Sequence, residues 1–118
     1  MLALVVEDEI GICLIYRRIL ERVGFTVIEA HTGTEAIDIL DRESPDLIFL
    51  DMLLPQINGA TVLNYILTAP HLHPQRVVIV TSNRQYERLA EAHPDVVDFV
   101  LKPIRPEQIR SYALLVTE

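Results

Sequence analysis

Charged and hydroxyl side chains follow four of the short apolar segments of this chain, each at the point where the segment ends. In chain order these groups are Glu7-Asp8, Asp51, Thr81-Ser82 and Lys102-Pro103. Asp51 is the most informative of them, because it directly follows Leu47–Leu50, an apolar run typical of a buried strand. A carboxylate in that position is costly unless it has a partner. The other three groups are candidates for that partner.

Three carboxylates, a hydroxyl and an ammonium suit one kind of chemistry if they meet in space. Carboxylates that lie close together repel one another, and a hard divalent cation relieves that repulsion. Mg²⁺ suits an oxygen site with few protein ligands and several waters. With Mg²⁺ and Lys102 to neutralise phosphoryl oxygens, the carboxylate of Asp51 can attack in line and form an acyl phosphate. The residue types therefore point to phosphoryl transfer with Mg²⁺ as the cofactor.

The hydrophobic pattern predicts five strands that alternate with five helices. The predicted strands are Leu2–Val6, Phe25–Ile28, Leu47–Leu50, Arg76–Val80 and Val96–Leu101. The predicted helices are Glu9–Val23, Thr32–Asp41, Thr61–Leu67, Gln85–His93 and Pro106–Val116. Because the strands are continuously apolar, helices should cover both faces, which indicates a parallel sheet in a doubly wound α/β domain. Ligands of such sheets bind outside the carboxyl ends of the strands, where the polar groups fall.

Length and composition narrow the class of protein. A chain of 118 residues predicts a single domain over residues 1–118, with no second, output domain. The net charge of −7 argues against direct binding of nucleic acid. The single cysteine, Cys13, excludes an internal disulfide and fits a reducing compartment. No apolar stretch approaches membrane-spanning length, so we expect a cytoplasmic domain with no membrane insertion.

Four segments together make the chain resemble a receiver domain of a two-component response regulator, along essentially its whole length. They are VVEDE (5–9), LIFLDMLLPQING (47–59), VVIVTSN (77–83) and DFVLKP (98–103). The resemblance implies a (βα)₅ flavodoxin-like sandwich with strand order 2-1-3-4-5. It also implies a signalling switch and not a turnover enzyme. Such a switch accepts a phosphoryl group from a phosphohistidine of a histidine kinase or histidine phosphotransfer protein, and later loses it by hydrolysis.

The resemblance assigns the acceptor and the metal ligands. Asp51 is the expected phosphoacceptor and also a metal ligand. Asp8 is expected to bind Mg²⁺ directly and Glu7 mostly through water, while the backbone carbonyl of Leu53 adds a further ligand.

The resemblance also assigns the residues that respond to phosphorylation. Thr81 is expected to hydrogen-bond the phosphoryl group, and Lys102 to pair with it. The bond between Lys102 and Pro103 is expected to be cis, which only a bond preceding proline adopts cheaply. Phe99 matches the switch aromatic, which turns inward as Thr81 moves. The face made by the fourth helix, fifth strand and fifth helix would then change shape, and a homodimer could form through it on phosphorylation.

Three other functions stay open at this stage. A pseudo-receiver would use the same fold as an interaction module without phosphorylation, but it would not need the complete set of polar groups. A phosphatase that works through an aspartyl phosphate usually carries a second aspartate two residues after the nucleophile, where this chain has Leu53. A flavin or dinucleotide carrier would need a Gly-rich phosphate loop after the first strand, which the sequence lacks.

The first helix carries apolar residues outside its core-facing stripe. Ile10 and Leu14 lie away from that stripe and Ile15 lies at its edge. Exposed apolar side chains beside the acidic groups would suit docking of a kinase helix bundle, although scattered apolar residues are normal on protein surfaces. Cys13 is expected to be a structural residue, and the histidines lack the spacing typical of metal ligands.

Overall fold

The computed structural model describes residues 1–72 and 76–117. Its five strands are β1 (Leu2–Val6), β2 (Thr26–Ala30), β3 (Leu47–Leu50), β4 (Val77–Thr81) and β5 (Val96–Leu101). Its helices are α1 (Ile10–Val23), α2 (Gly33–Arg42), α3 (Gly59–Thr68), α4 (Glu87–Glu91) and α5 (Pro106–Thr117). All strand pairs are parallel and the order is β2-β1-β3-β4-β5, which confirms the predicted fold and strand order.

Two hydrophobic cores lie on opposite faces of the sheet. Helices α1 and α5 cover one face, where Tyr16 packs against Phe49 of β3 and Ile109 belongs to the same cluster. Helices α2, α3 and α4 cover the other face, where Leu40 and Ile66 belong to the same cluster as residues of β1, β3 and β4. Successive strand residues point to opposite faces, so a strand covered on both sides must be apolar throughout. Each large side chain that is fully buried contributes about 1.5–3 kcal/mol to folding.

The strand register brings the carboxyl ends of the central strands together. Val6 of β1 pairs with Leu50 of β3, so the residues that follow them, Glu7 and Asp51, emerge side by side. Thr81 pairs with Leu101 at the end of β4 and β5, and the Lys102 amide donates to the Thr81 carbonyl oxygen at 3.0 Å. The fold therefore delivers all the predicted polar groups to one edge of the sheet.

The helix ends follow from their sequences, except around α4. Gly24 ends α1 in the left-handed conformation, with φ at 114°, which glycine adopts without steric cost. Asn58 caps α3 by accepting a hydrogen bond from the Thr61 amide at 3.1 Å. The fourth helix was predicted over Gln85–His93, but it consists of a 3₁₀ turn over Arg84–Tyr86 followed by only five α-helical residues. Tight 3₁₀ turns are frequent at helix starts.

Within residues 1–72 and 76–117, no helix is long and apolar enough to cross a membrane.

Candidate functional site

Three carboxylates converge at the carboxyl ends of β1 and β3. One oxygen from each of Glu7, Asp8 and Asp51 lies within 4.8 Å of the others. Glu7 and Asp51 are buried, whereas Asp8 is exposed, so the cluster opens to solvent on the Asp8 side. The Asp51 amide donates to the Val6 carbonyl oxygen at 3.1 Å, which fixes the start of the loop after β3. The structure therefore brings together the three acids that the sequence singled out.

Lys102, the only lysine of the chain, bridges two of these acids. Its Nζ donates to Glu7 Oε1 and to Asp51 Oδ2, both at 2.8 Å. Burial alone would lower the pKa of Lys102, but the hydrogen bonds that it donates to Asp51 and Glu7 outweigh burial and raise that pKa above its usual range. The side chain therefore carries a positive charge at neutral pH. Burial raises the pKa of Glu7, and its contact with Lys102 offsets this only in part.

The loop after β3 holds the second oxygen of Asp51. Its Oδ1 accepts a hydrogen bond from the Leu53 amide at 3.0 Å, while the Leu53 side chain is exposed. The loop then folds tightly onto the start of α3 at Gly59. A Cβ atom on Gly59 would lie 2.4 Å from the Met52 Cα and 2.6 Å from the Asp51 carbonyl oxygen. This position therefore requires glycine.

Thr81 and Lys102-Pro103 complete the edge of the sheet. Thr81 is fully buried, and its hydroxyl oxygen accepts a hydrogen bond from the Asn83 amide at 3.4 Å. Thr81 is the last residue of β4, not the first residue beyond it, which is one residue later than the predicted strand end. The bond between Lys102 and Pro103 is cis.

Phe99 lies in β5, three residues before Lys102, on the face of the sheet covered by α2, α3 and α4. It is half-buried and packs against the core of that face. Together with Ala90, Val96 and Asp98, it lines a cavity of about 220 Å³ between α4 and β5. The aromatic ring therefore borders open space next to the shortest helix of the fold.

An apolar pocket adjoins the acidic cluster between α1 and α5. Its volume is about 330 Å³, and its lining includes Ile12, Ile15 and Ile104 together with Glu7 and Lys102. No sequence pattern marks this pocket, because Ile12 and Ile104 lie far apart along the chain and neither is polar.

Three apolar residues of α1 are exposed near this pocket. Ile10, Leu14 and Ile15 have 70%, 47% and 44% of their surface accessible, as their positions on the helix predicted. They form an apolar surface next to the acidic cluster.

A second group of polar side chains, which the sequence analysis missed, lies between α1 and β2. Cys13, Glu29 and His31 each place one ligand atom within 4.8 Å of the others. Glu29 also accepts a hydrogen bond from Arg17 Nε at 2.9 Å. Burial, followed by the nearby charge of Glu29, raises the pKa of the Cys13 thiol to about 12. Glu29 and His31 are two residues apart, but Cys13 lies in α1, so no spacing along the chain indicates that all three meet.

The acidic cluster fits a hard divalent cation. Glu7, Asp8 and Asp51 offer carboxylate oxygens that lie close to one another. With all three carboxylates ionised and Lys102 protonated, the group has an uncompensated charge of about −2. Oxygen donors and that charge balance are what Mg²⁺ requires.

Comparisons with known proteins agree with one another. The model of the response regulator receiver domain family matches residues 3–114. The alkaline phosphatase synthesis regulatory protein PhoP of Bacillus subtilis is 30% identical over 108 residues, which cover 92% of this chain and 45% of that protein. The sporulation initiation phosphotransferase F of the same organism is 28% identical over 108 residues, covering 91% of this chain and 86% of that protein.

Solved structures of other proteins have the same fold as this chain. A signal receiver domain from Vibrio parahaemolyticus superimposes with a TM-score of 0.85 and 27% identity, covering 98% of this chain and 88% of that chain. The chain spans only 45% and 24% of the lengths of PhoP and of the alginate regulator AlgB of Pseudomonas putida.

Proposed function

The chain belongs to the family of response regulator receiver domains of two-component systems, and from that membership we propose that it is a switch phosphorylated on Asp51. The observation that carries the proposal is the bridge from Lys102 Nζ to Asp51 and Glu7, at 2.8 Å to each. A lysine ammonium paired with the acceptor carboxylate, with Asp8 beside them, is the arrangement that phosphoryl transfer to a carboxylate needs. Receiver domains act as signalling switches and not as classical enzymes.

The proposed step transfers a phosphoryl group from a phosphohistidine of a histidine kinase or a histidine phosphotransfer protein. An Asp51 oxygen attacks the phosphorus, the P–N bond to the donor imidazole breaks, and an acyl phosphate forms. Lys102 stays close to Asp51 and neutralises a phosphoryl oxygen, and the Thr81 hydroxyl donates to another. Water later attacks the phosphorus, which releases inorganic phosphate and restores the Asp51 carboxylate.

The metal ligands in this proposal are Asp8, Asp51 and the Leu53 carbonyl, with Glu7 acting mostly through water. When bound, Mg²⁺ supplies divalent charge that stabilises the phosphoryl oxygens during transfer. Glu7 and Asp51 are oriented for this role by Lys102, and Asp8 provides the open, solvent-facing side.

The output of the switch is the face formed by α4, β5 and α5. As Thr81 turns towards the phosphoryl group, Phe99 moves inward and the population shifts to a second packing of this face. Two features support this route. Phe99 already borders a cavity of about 220 Å³, and α4 has only five residues, so few contacts hold it in place. A homodimer through this face, formed on phosphorylation, is part of the proposal.

The donor protein is proposed to dock on the apolar surface of Ile10, Leu14 and Ile15. This surface is next to the acidic cluster, and the pocket between α1 and α5 extends it. One relative of similar length is itself named a phosphotransferase, which supports a place in a phosphorelay. The net charge of −7 gives no support to direct contact of this chain with nucleic acid, and its cytoplasmic location stays a prediction.

Intact-mass spectrometry after incubation with acetyl phosphate and Mg²⁺ tests this proposal. We expect a gain of one phosphoryl group, which is absent in Asp51→Asn and without metal. If acetyl phosphate and a set of phosphorylated kinases all fail to add mass, and Mg²⁺ does not bind, the chain is a pseudo-receiver that acts only by binding.

A further inference from the structure

We propose that Cys13, Glu29 and His31 form a second cation site, selective for Zn²⁺ over Mg²⁺. The three side chains come from α1, from β2 and from the residue that follows β2. The proposal concerns a different place and a different ion from the acidic cluster, and it does not depend on phosphorylation of Asp51.

The geometry of the three side chains is close to that of a zinc site. The thiol sulfur, a carboxylate oxygen and an imidazole nitrogen lie within 4.8 Å of one another, and His31 Nε2 is 3.1 Å from Glu29 Oε1. Ligands around a tetrahedral Zn²⁺ are separated by roughly 3.3–3.6 Å, given Zn–N and Zn–O near 2.1 Å and Zn–S near 2.3 Å. Shifts of about 1 Å would therefore complete the site, within the reach of side-chain rotation.

The chemistry of the donors distinguishes this site from the acidic cluster. Sulfur and imidazole ligands favour zinc and other borderline ions, whereas Mg²⁺ prefers oxygen ligands alone. Three protein ligands leave a fourth position for water. On binding, the thiol proton leaves to solvent, so the thiolate and the Glu29 carboxylate both become anionic ligands, while Arg17 keeps its hydrogen bond to the other Glu29 oxygen.

Two features around the three side chains affect metal binding: the group is partly open to solvent, and Arg17 already pairs with Glu29. The side chains of His31 and Glu29 are 36% and 19% exposed, whereas Cys13 is fully buried, so an ion would meet His31 and Glu29 first. Arg17 donates to Glu29 Oε2 at 2.9 Å and leaves Oε1 facing His31. The guanidinium therefore repels the ion without occupying the oxygen that would bind it, and it should weaken the site but not close it.

Co²⁺ is the probe for this site, because its spectrum reports the ligand type. The reduced protein is titrated with Co²⁺ in excess Mg²⁺, which fills the acidic cluster. We expect a thiolate-to-cobalt charge-transfer band in the near ultraviolet, with intense visible bands of tetrahedral Co²⁺, saturating at one equivalent and removed by Zn²⁺. Weak octahedral bands alone, with no charge-transfer band, would overturn the proposal.

Variants then assign the ligands. His31→Gln and Glu29→Gln alter partly exposed residues and should fold, as checked by circular dichroism. Each should lower Zn²⁺ affinity, measured by competition with a chelating dye, by at least about 100-fold, since even outer-sphere changes cost 10–100-fold. Cys13→Ala should abolish the charge-transfer band. If His31→Gln keeps the band and the affinity, the assignment is wrong.

Two further variants separate a metal site from a purely structural ion-pair network. His93→Gln, a matched change of a histidine outside the group, should leave Zn²⁺ affinity within about twofold of the wild type. Arg17→Met removes the competing cation and should raise Zn²⁺ affinity by about tenfold. A fall in affinity in Arg17→Met would contradict the proposed arrangement.

Discussion

Replacing Lys102 by methionine tests how much the positive charge of Lys102 stabilises the folded protein by pairing with Glu7 and Asp51. Among the residues that the structure describes, Lys102 is the one cation paired with the buried Glu7 and Asp51, and the change removes its charge while leaving the apolar part of the side chain in place. Breaking a buried ion pair from one side costs about 3–5 kcal/mol, because the other charge stays buried without a partner. The Lys102 side chain is 27% exposed, so water relieves part of this cost. We expect the free energy of unfolding to fall by about 2–4 kcal/mol without metal.

The dependence of that loss on pH follows from Glu7. Burial raises the pKa of Glu7, and Lys102 opposes this rise, so Lys102→Met raises that pKa further. A carboxyl whose pKa is higher in the folded state than in the unfolded state stabilises the fold while it is protonated. This stabilisation is lost as the pH rises from the unfolded-state pKa, about 4.3, through the folded-state pKa. The variant should therefore lose most stability near pH 7 and less as the pH falls towards about 5.

The dependence on Mg²⁺ follows from the same charges. Without Lys102, the three carboxylates have no competing ammonium, so Mg²⁺ should bind more tightly and stabilise the variant more than the wild type. Urea unfolding followed by far-ultraviolet circular dichroism measures both effects, since the chain has no tryptophan.

Arg84→Met is the matched control, because Arg84 pairs with Glu87 at 3.5 Å on the exposed surface, where such pairs are worth under about 1 kcal/mol. The reasoning is refuted if Lys102→Met costs no more than Arg84→Met, or if Mg²⁺ stabilises both proteins equally.

Four further predictions concern the loop after β3, helix α1, the ion pairs of β2 and the docking surface. Gly59→Ala should lower the free energy of unfolding by more than about 2 kcal/mol and slow phosphorylation, because the Cβ of the new alanine would overlap the Asp51 and Met52 backbone. Gly11 has open space around its Cα, so Gly11→Ala should raise the free energy of unfolding by about 0.5–1 kcal/mol in the same urea unfolding assay. Burial raises the pKa of Glu29, but the hydrogen bonds from Arg17 and His31 outweigh burial and lower that pKa. The wild type should therefore be more stable than Glu29→Gln by a constant amount above about pH 5, and this difference should shrink as acid protonates Glu29. Unfolding free energies of the two proteins, measured across an acid titration, check this. Leu14→Gln should slow phosphotransfer from a kinase at least several-fold and leave phosphorylation by acetyl phosphate unchanged; equal effects on both donors would exclude docking at this surface.

The fold can be predicted from the sequence because the central strands are continuous apolar runs. Continuous runs such as Leu47–Leu50 are buried on both faces, and only a parallel sheet covered by helices on both sides accommodates that pattern. The convergence of Asp51 with Glu7 and Asp8 then followed from topology, since neighbouring parallel strands end at the same edge.

Other features depend on tertiary contacts that no local pattern records. The predicted length of α4 is too great, because the residues around Tyr86 are compatible with a regular helix but form a 3₁₀ turn. The pairing of Lys102 with Glu7 joins the ends of β5 and β1, between which β4 and β3 lie in the sheet. The approach of Cys13 to His31 likewise joins α1 to the end of β2, so it becomes visible only in three dimensions.

Chemical mapping of the phosphorylated residue tests the central claim most directly. The protein is phosphorylated with acetyl phosphate and Mg²⁺, reduced with borohydride, digested and sequenced by tandem mass spectrometry. Borohydride reduces an acyl phosphate to the alcohol, so phosphorylation of Asp51 predicts homoserine at position 51 and at no other position. A reduced side chain at Glu7 or Asp8, or a stable phosphoryl group with no homoserine at all, would contradict the account.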